Sequence, residues 1–282
     1  MYLINDYILL NKISQGSYGE VWKAQNIINK KKYVAIKIER KSLKSSLKYE
    51  TLILRYLKNI DCVGKIKFYG EYRKINYLIL ELLGNTIDDY YNNLISNNIN
   101  KLGLIKKIGL QMVKCIESIH HKGIIHRDIK PANFLIDNTT NTIKIIDFGL
   151  AKQFISNDGI HIINKINKIH DKIIGSLRYC SIYIHEGNAP SRRDDLISMS
   201  YILFYLYNQK LPWQCLNINN INNYDKENMV YKIKKKFLTT LKLNQFIKVP
   251  DKLIQLLEYL ENLTYYEVPN YEFIYFLIKT LS

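Results

Sequence analysis

Four residues, Asp128, Lys130, Asn133 and Asp147, bring two carboxylates, an amide and an ammonium into one short stretch of chain. That mixture suits phosphoryl transfer, because oxygen ligands grip Mg²⁺ while a cation offsets charge on the moving phosphoryl group. The residues lie in His126-Arg127-Asp128-Ile129-Lys130-Pro131-Ala132-Asn133-Phe134-Leu135 and in Asp147-Phe148-Gly149. In the pattern H-R-D-x-x-x-x-N the aspartate accepts a hydroxyl proton and the asparagine holds a metal ion; D-F-G supplies a second carboxylate for the metal. Taken alone, the stretch would equally make a charge-rich surface hairpin, so the elements that position it decide.

Two elements upstream carry matching chemistry. A short strand from Tyr7 to Lys12 runs into Ile13, Ser14, Gln15, Gly16, Ser17, Tyr18, Gly19, Glu20 and Val21. Glycines at such a hairpin tip let backbone N–H groups approach phosphates. Ser14 stands where the first glycine of G-x-G-x-x-G would be, which makes this the weakest of the motifs. Tyr33-Val34-Ala35-Ile36-Lys37-Ile38 then reads as a strand with Val34, Ile36 and Ile38 on one face and Ala35 and Lys37 on the other. Small Ala35 leaves room for a flat ring, and Lys37 reaches toward phosphates from the same face.

Residues 43–58 read as a helix, with Ser42 as its N-cap and Leu43, Leu47, Glu50, Leu54 and Leu57 on one stripe. A carboxylate on an inward stripe is costly unless paired, and Lys37 is the obvious partner for Glu50. Strands follow at 65–70 and 75–82, the second closing on Leu80-Glu81-Leu82-Leu83-Gly84, a natural hinge between two lobes. Backbone groups of Glu81 and Leu83 are placed to meet an adenine edge, with Leu80 behind. Beyond Thr86 the pattern turns helical, with an asparagine-rich connection over 92–100 and long helices at 102–122 and 196–208. Segment 150–174 is polar and irregular, as a loop covering a substrate cleft would be.

Size and composition bound the rest. A chain of 282 residues with 47% hydrophobic and 23% charged residues can bury a substantial core in about two compact lobes. The net charge of +16 would draw acidic peptides, nucleic acid or anionic lipid, although a Lys-, Asn- and Ile-heavy composition accounts for it as well. The lysines are spread, with Lys30–Lys32 and Lys232–Lys236 the dense runs. Cys62, Cys115, Cys180 and Cys215 form no C-x-x-C pair, and His120-His121 are merely adjacent, so neither disulfides nor a zinc site is expected. No apolar run is long enough for a membrane span, and residues 1–10 lack the marks of a secretory signal. Those features predict an intracellular protein of the cytoplasm or nucleus.

In order, the glycine loop, V-A-I-K, the helix glutamate, H-R-D-I-K-P-A-N and D-F-G resemble a eukaryotic-type protein kinase over nearly the whole chain. Within kinases the chain is similar to the casein kinase I group. Glu81-Leu82-Leu83-Gly84, Ser191-Arg192-Arg193-Asp194-Asp195-Leu196, Leu211-Pro212-Trp213-Gln214 and Pro269-Asn270-Tyr271 carry that closer likeness. The A-P-E motif is absent, and Arg178-Tyr179-Cys180-Ser181-Ile182 stands in its place, like the R-Y-A-S-I of that group. Ser200 stands where the group usually has glycine.

The resemblance implies an α+β bilobal fold in a single kinase domain, with a β-rich N-lobe over 1–83 and a mainly helical hinge and C-lobe over 84–282. It implies MgATP as phosphoryl donor and Ser/Thr hydroxyls of proteins as acceptors, preferentially in acidic or already phosphorylated sequences. Asp128 would deprotonate the hydroxyl and Lys130 would stabilise the transferring group. Asn133 and Asp147 would hold two Mg²⁺ ions, and Lys37, held by Glu50, would fix the phosphates. Val21, Ala35 and Leu135 would sandwich the adenine, and Asp195 would brace the catalytic loop from beneath. Arg178, and Lys226 if aligned across the insertion at 217–223, would bind a substrate anion; a solvated surface lysine explains Lys226 slightly better. The resemblance also implies a monomer, active as synthesised, without stable nucleic-acid or membrane binding. A pseudokinase scaffold or a basic nucleic-acid-binding protein are the competing readings.

Overall fold

A computed structural model describes residues 3–16, 19–39, 46–72, 75–96, 100–156, 158–163, 173–214, 223–243 and 249–282. The chain forms two compact units, Met1–Asn85 with Leu135–Gly149, and Thr86–Phe134 with Leu150–Ser282. The first unit is built on an antiparallel sheet of six strands: β1 (Leu3–Ile4), β2 (Tyr7–Gly16), β3 (Gly19–Asn26), β4 (Tyr33–Glu39), β5 (Ile66–Tyr72) and β6 (Ile75–Glu81). Their spatial order is β1-β2-β3-β4-β6-β5.

Register explains what each face of this sheet does. Val21 lies opposite Lys37, which lies opposite Leu78, while Ala35 lies opposite Leu80. Directly opposed residues share a face, and residues two apart on a strand share it too. Val21, Ala35, Lys37, Leu78 and Leu80 therefore stand on one face. The other face carries Val34, Ile36, Tyr77 and Ile79, which close a buried core with Ile4 and Ala24. Val21, Ala35 and Leu80 remain half-exposed whereas Val34, Ile36 and Ile79 are fully buried, so one face is sealed and the other is open around Val21, Ala35 and Leu80 and closed at Leu78.

Helix α1 (Ser46–Tyr56) packs on β5 and β6 and buries Leu47, Glu50 and Leu54, with Leu57 just beyond its end. The expected inward stripe holds for these positions; Ser42 and Leu43 lie outside the described residues. The hairpin of β8 (Phe134–Asp137) and β9 (Thr142–Ile145) joins this unit from Leu135 onward, although it is far away in sequence. Backbone bonds account for that. Gly84 N–H donates to Ile136 (2.7 Å), Ile136 N–H to Asn85 (2.9 Å), Gly64 N–H to Ile145 (3.0 Å) and Ile145 N–H to Cys62 (2.8 Å). The compact division thus falls after Asn85, not after Leu83, and residues 135–149 group with the first eighty-five.

The second unit is helical, with a two-stranded sheet of β7 (Ile124–Ile125) and β10 (Lys152–Gln153). Helix α2 spans Ile87–Ile95 with Thr86 as N-cap, so the first residues of the asparagine-rich connection are helical. Helices α3 (Lys101–His121), α7 (Asp251–Glu261) and α8 (Tyr271–Lys279) pack together, and α5 (Arg192–Asn208) lies against α3 and α7. Short α4 (Ile182–His185) packs on α6 (Asn223–Leu243). Helix α5 begins four residues before the expected start and is buried nearly all round, which is why its apolar pattern has no polar stripe. Its first turn buries four charged side chains. Arg192 and Arg193 donate to the carbonyls of Tyr266 (2.7 Å) and Leu263 (2.9 Å), and Asp194 closes a capping box with Ser191. Ser200, in place of the group's glycine, is fully buried and returns its hydroxyl to the Ile197 carbonyl. Cys62, Cys115 and Cys180 take part in no disulfide; Cys215 lies outside the described residues.

Glu261, at the end of α7, buries a carboxyl oxygen with no hydrogen-bond partner. Burial raises its pKa from 4.5 to about 7. A raised carboxylate pKa means the folded state resists ionisation, so stability is greatest below pH 4.5, falls as pH climbs toward 7, and levels off above. Glu261→Gln removes this loss. Thermal melts should show the variant gaining on wild type between pH 5 and 8, by on the order of 1–2 kcal/mol, with little difference near pH 4.5.

Candidate active site

In the first unit the chemistry centres on Lys37. Its Nζ donates to Glu50 Oε2 and to Asp147 Oδ1, each at 2.7 Å. The Glu50 side chain is almost sealed at 2% exposure, while that of Asp147 is 41% exposed, so one partner anchors the lysine and the other faces outward. Burial alone would lower the pKa of Lys37, but the two carboxylates outweigh it and hold the ammonium charged well above its ordinary range. Asp147 adopts a left-handed backbone (φ 65°), a conformation that costs energy for a non-glycine residue and that clusters at functional sites.

The residues expected to embrace a nucleotide fall in this same unit. Val21, Ala35 and Leu80 lie on the open sheet face, and Leu135 lies on β8 of the hairpin bonded to segment 84–85. Ile13, Ser14, Gln15 and Gly16 are exposed on β2, and Glu20 is engaged with Lys12 (2.8 Å) and Trp22 (3.0 Å). Ser17 and Tyr18 lie outside the described residues. The two loop glycines differ. A Cβ at Gly16 would meet nothing within 4 Å, whereas at Gly19 it would lie 2.0 Å from the Ile38 carbonyl. Gly19 is required by the close approach of β4, whatever binds at the tip.

In the second unit Asp128, Lys130 and Asn133 are brought together. Asp128 Oδ2 accepts from Lys130 Nζ (2.6 Å) and from Asn133 Nδ2 (3.3 Å), and Asn133 Nδ2 also donates to the Asp128 carbonyl (2.8 Å). The amide nitrogen is thereby spent on Asp128, and the amide oxygen is the atom suited to a cation. The other carboxylate oxygen, Asp128 Oδ1, is buried and has no hydrogen-bond partner. A buried acceptor without a partner is costly.

The loop carrying these residues is held from below. Asp195 accepts the backbone N–H groups of His126 (2.7 Å) and Arg127 (2.9 Å), one on each oxygen. Burial pushes the Asp195 carboxyl up, yet bonds from His120 and His126 outweigh it and keep the pKa below the ordinary value. Arg127 sits at φ 68°, so the loop is strained where Asp195 grips it. Gly175 touches the loop from the other side; a Cβ there would lie 2.4 Å from the Arg127 carbonyl. Arg127 Nε donates to the Leu150 carbonyl.

With this geometry in view, the family is decided by comparison. The model of the protein kinase domain matches residues 7–268. The chain belongs to the protein kinase family. It is 34% identical over 281 residues to Casein kinase I homolog 3 of Schizosaccharomyces pombe, covering 98% of this chain and 62% of that relative. It is 31% identical to a protein of Dictyostelium discoideum named as a probable serine/threonine-protein kinase, covering 97% of this chain and 53% of that relative. The chain thus spans somewhat over half the length of these relatives.

Among the described residues no three His, Cys, Asp or Glu side chains gather to hold a metal by themselves. Protein kinases in general use ATP and a divalent metal, with Mg²⁺ bound through one or two protein oxygens and the substrate phosphates. Arg178 is exposed in the loop before α4, and Lys226 is half-buried on α6. No described helix is long and apolar enough to cross a membrane.

Two residues escape sequence reasoning. His120, dismissed there as one of an adjacent pair, is buried and links Asp195 (Nε2, 3.0 Å) to the Tyr271 hydroxyl (Nδ1, 2.7 Å). Burial lowers its pKa, and a neutral ring protonated on Nε2 satisfies both neighbours. Lys234, read as part of a basic run, is buried and donates to the carbonyls of Leu177 (2.8 Å) and Cys180 (2.6 Å). Alternation of Val230, Lys234 and Phe237 at helical spacing was the available signal for Lys234.

Asp195→Ala leaves two buried N–H groups without acceptors and should cost about 3 kcal/mol or more in urea unfolding. Asp195→Asn, which keeps one acceptor oxygen, should cost less.

Proposed function

We propose that this protein is an active serine/threonine protein kinase that transfers the γ-phosphoryl group of MgATP to hydroxyls of protein substrates. The observation that carries this reading is Asp128, whose buried Oδ1 is without a partner while Oδ2 is fixed by Lys130 and Asn133. The substrate hydroxyl gives its proton to Oδ1 as its oxygen attacks the γ-phosphorus, and the bond to the leaving ADP oxygen breaks. Lys130 offsets charge on the transferring group, and Lys37, held between Glu50 and Asp147, binds the α- and β-phosphates. Asn133 and Asp147 are the residues that would hold Mg²⁺, which would supply positive charge against the developing negative charge. Val21, Ala35, Leu80 and Leu135 enclose the adenine, and the backbone of Glu81 and Leu83 meets its edge.

Retention of Lys37, Asp128, Asn133 and Asp147 argues against a pseudokinase. The nucleic-acid reading loses ground at the dense run 232–236, where Lys234 lies inside the protein and Lys235 pairs with Glu186. Acidic or phosphorylated acceptor sequences fit the exposed guanidinium of Arg178, which can grip a phosphate with two N–H groups.

With casein as substrate, Asp128→Asn should lower kcat by about 10²–10⁴-fold; equal rates in a folded variant would refute the catalytic role. A peptide-library profile should enrich acidic or phosphorylated neighbours of the acceptor, and Arg178→Ala should flatten that preference. Because Arg127 already donates to the Leu150 carbonyl, phosphatase treatment should leave the rate unchanged.

A further inference from the structure

Lys144 is a buried lysine on β9 whose ammonium meets only carboxylate oxygens. Its Nζ lies 2.9 and 3.0 Å from the two oxygens of Glu81 and 2.9 Å from Asp137 Oδ2. An ammonium has three protons, and here each has an acidic acceptor. Burial alone would lower the Lys144 pKa; the bonds from Glu81 and Asp137 raise it instead. Asp137 is itself fixed at the hairpin turn by the N–H (2.9 Å) and hydroxyl (2.6 Å) of Thr139.

Glu81 is the other end of the clamp. Its Oε1 also accepts the Lys65 N–H at 2.7 Å, and its own N–H donates to the Lys65 carbonyl at 3.0 Å. Its side chain therefore ties the end of β6 to the start of β5 and, through Lys144, to the β8–β9 hairpin. That hairpin carries Leu135 and is bonded to Gly84 and Asn85. The cluster sums to two negative charges and one positive. Without Lys144, Glu81 and Asp137 would face the same buried space with no cation between them, and repulsion would drive Glu81 from its place.

We infer that Lys144 is a positioning residue for nucleotide binding, acting through the Glu81 carboxylate to fix the backbone of residues 81–83 against the Leu135 hairpin. This rests on the reading that the 81–83 backbone meets the adenine. Lys144 touches neither the reacting atoms nor the residues assigned to the phosphates, so it should govern nucleotide affinity and not the chemical step.

The test is calorimetric titration of the whole protein with MgADP, alongside steady-state kinetics. Lys144→Met should weaken MgADP binding and raise KM for ATP by roughly tenfold, the scale of a lost charged hydrogen bond, with kcat within about twofold of wild type. Glu81→Gln, which keeps the side-chain shape, should weaken binding in the same direction. In the Glu81→Gln background Lys144→Met should add little further loss, because both act through one contact. Unchanged MgADP affinity in Glu81→Gln overturns the inference, as does an equal effect of Lys144→Met in both backgrounds. Should Lys144→Met fail to fold, the Glu81→Gln titration decides alone. Wild type that binds no MgADP would overturn the nucleotide reading itself, a result distinct from equal binding by all variants.

Discussion

An ammonium taken out of water is tolerated only when anions meet it, and that constraint shapes the first unit. Lys37 stands on the open face of the sheet, where register puts it level with Val21 and Leu78. Two carboxylates converge on it, Glu50 from α1 and Asp147 from the end of the β8–β9 hairpin. Each comes from a different element, so the lysine fixes the helix and the hairpin relative to the sheet. Lys144 repeats the device a short distance away, with Glu81 and Asp137. Buried ion pairs are weak sources of stability, but removing one partner is expensive, which makes them effective at enforcing one arrangement.

The second unit solves the converse problem of holding strained backbone in place. Arg127 occupies the left-handed region, and the loop around it presents Asp128, Lys130 and Asn133. Asp195 takes the N–H groups of two successive loop residues, and His120 and Tyr271 keep that carboxylate oriented and charged. Helix α5 can carry such a residue because its first turn is otherwise neutralised: two arginines cap carbonyls and Asp194 caps the helix start. Charge buried at the head of α5 is thus the foundation for charge presented in the loop.

Much of this was visible in residue types and spacing. Glu50 on an apolar stripe demanded a buried cation, and the alternation of Val34, Ile36 and Ile38 against Ala35 and Lys37 gave the faces of β4 correctly. Those inferences succeeded because a helix or strand imposes its period locally. Lys144 and His120 could not be recognised in the same way, because their partners come from remote parts of the chain. Lys234 shares helical spacing with Val230 and Phe237, but that spacing does not name the carbonyls it meets. Gly19 belongs with them: its need for a missing Cβ comes from the carbonyl of Ile38, on the neighbouring strand.

The sequence by itself determined the family and the identity of the groups assigned to chemistry, because their order and spacing are properties of the chain. The tertiary structure alone decided that Lys144 meets Glu81 and Asp137 and that His120 meets Asp195, and that residues 135–149 fold with the first eighty-five. It also revealed that Asp128 keeps one oxygen buried and without a partner. The physical reason is that satisfaction of a buried polar group depends on what arrives from elsewhere in the chain, and backbone bonds at Gly84, Ile136 and Ile145 bring those distant segments together.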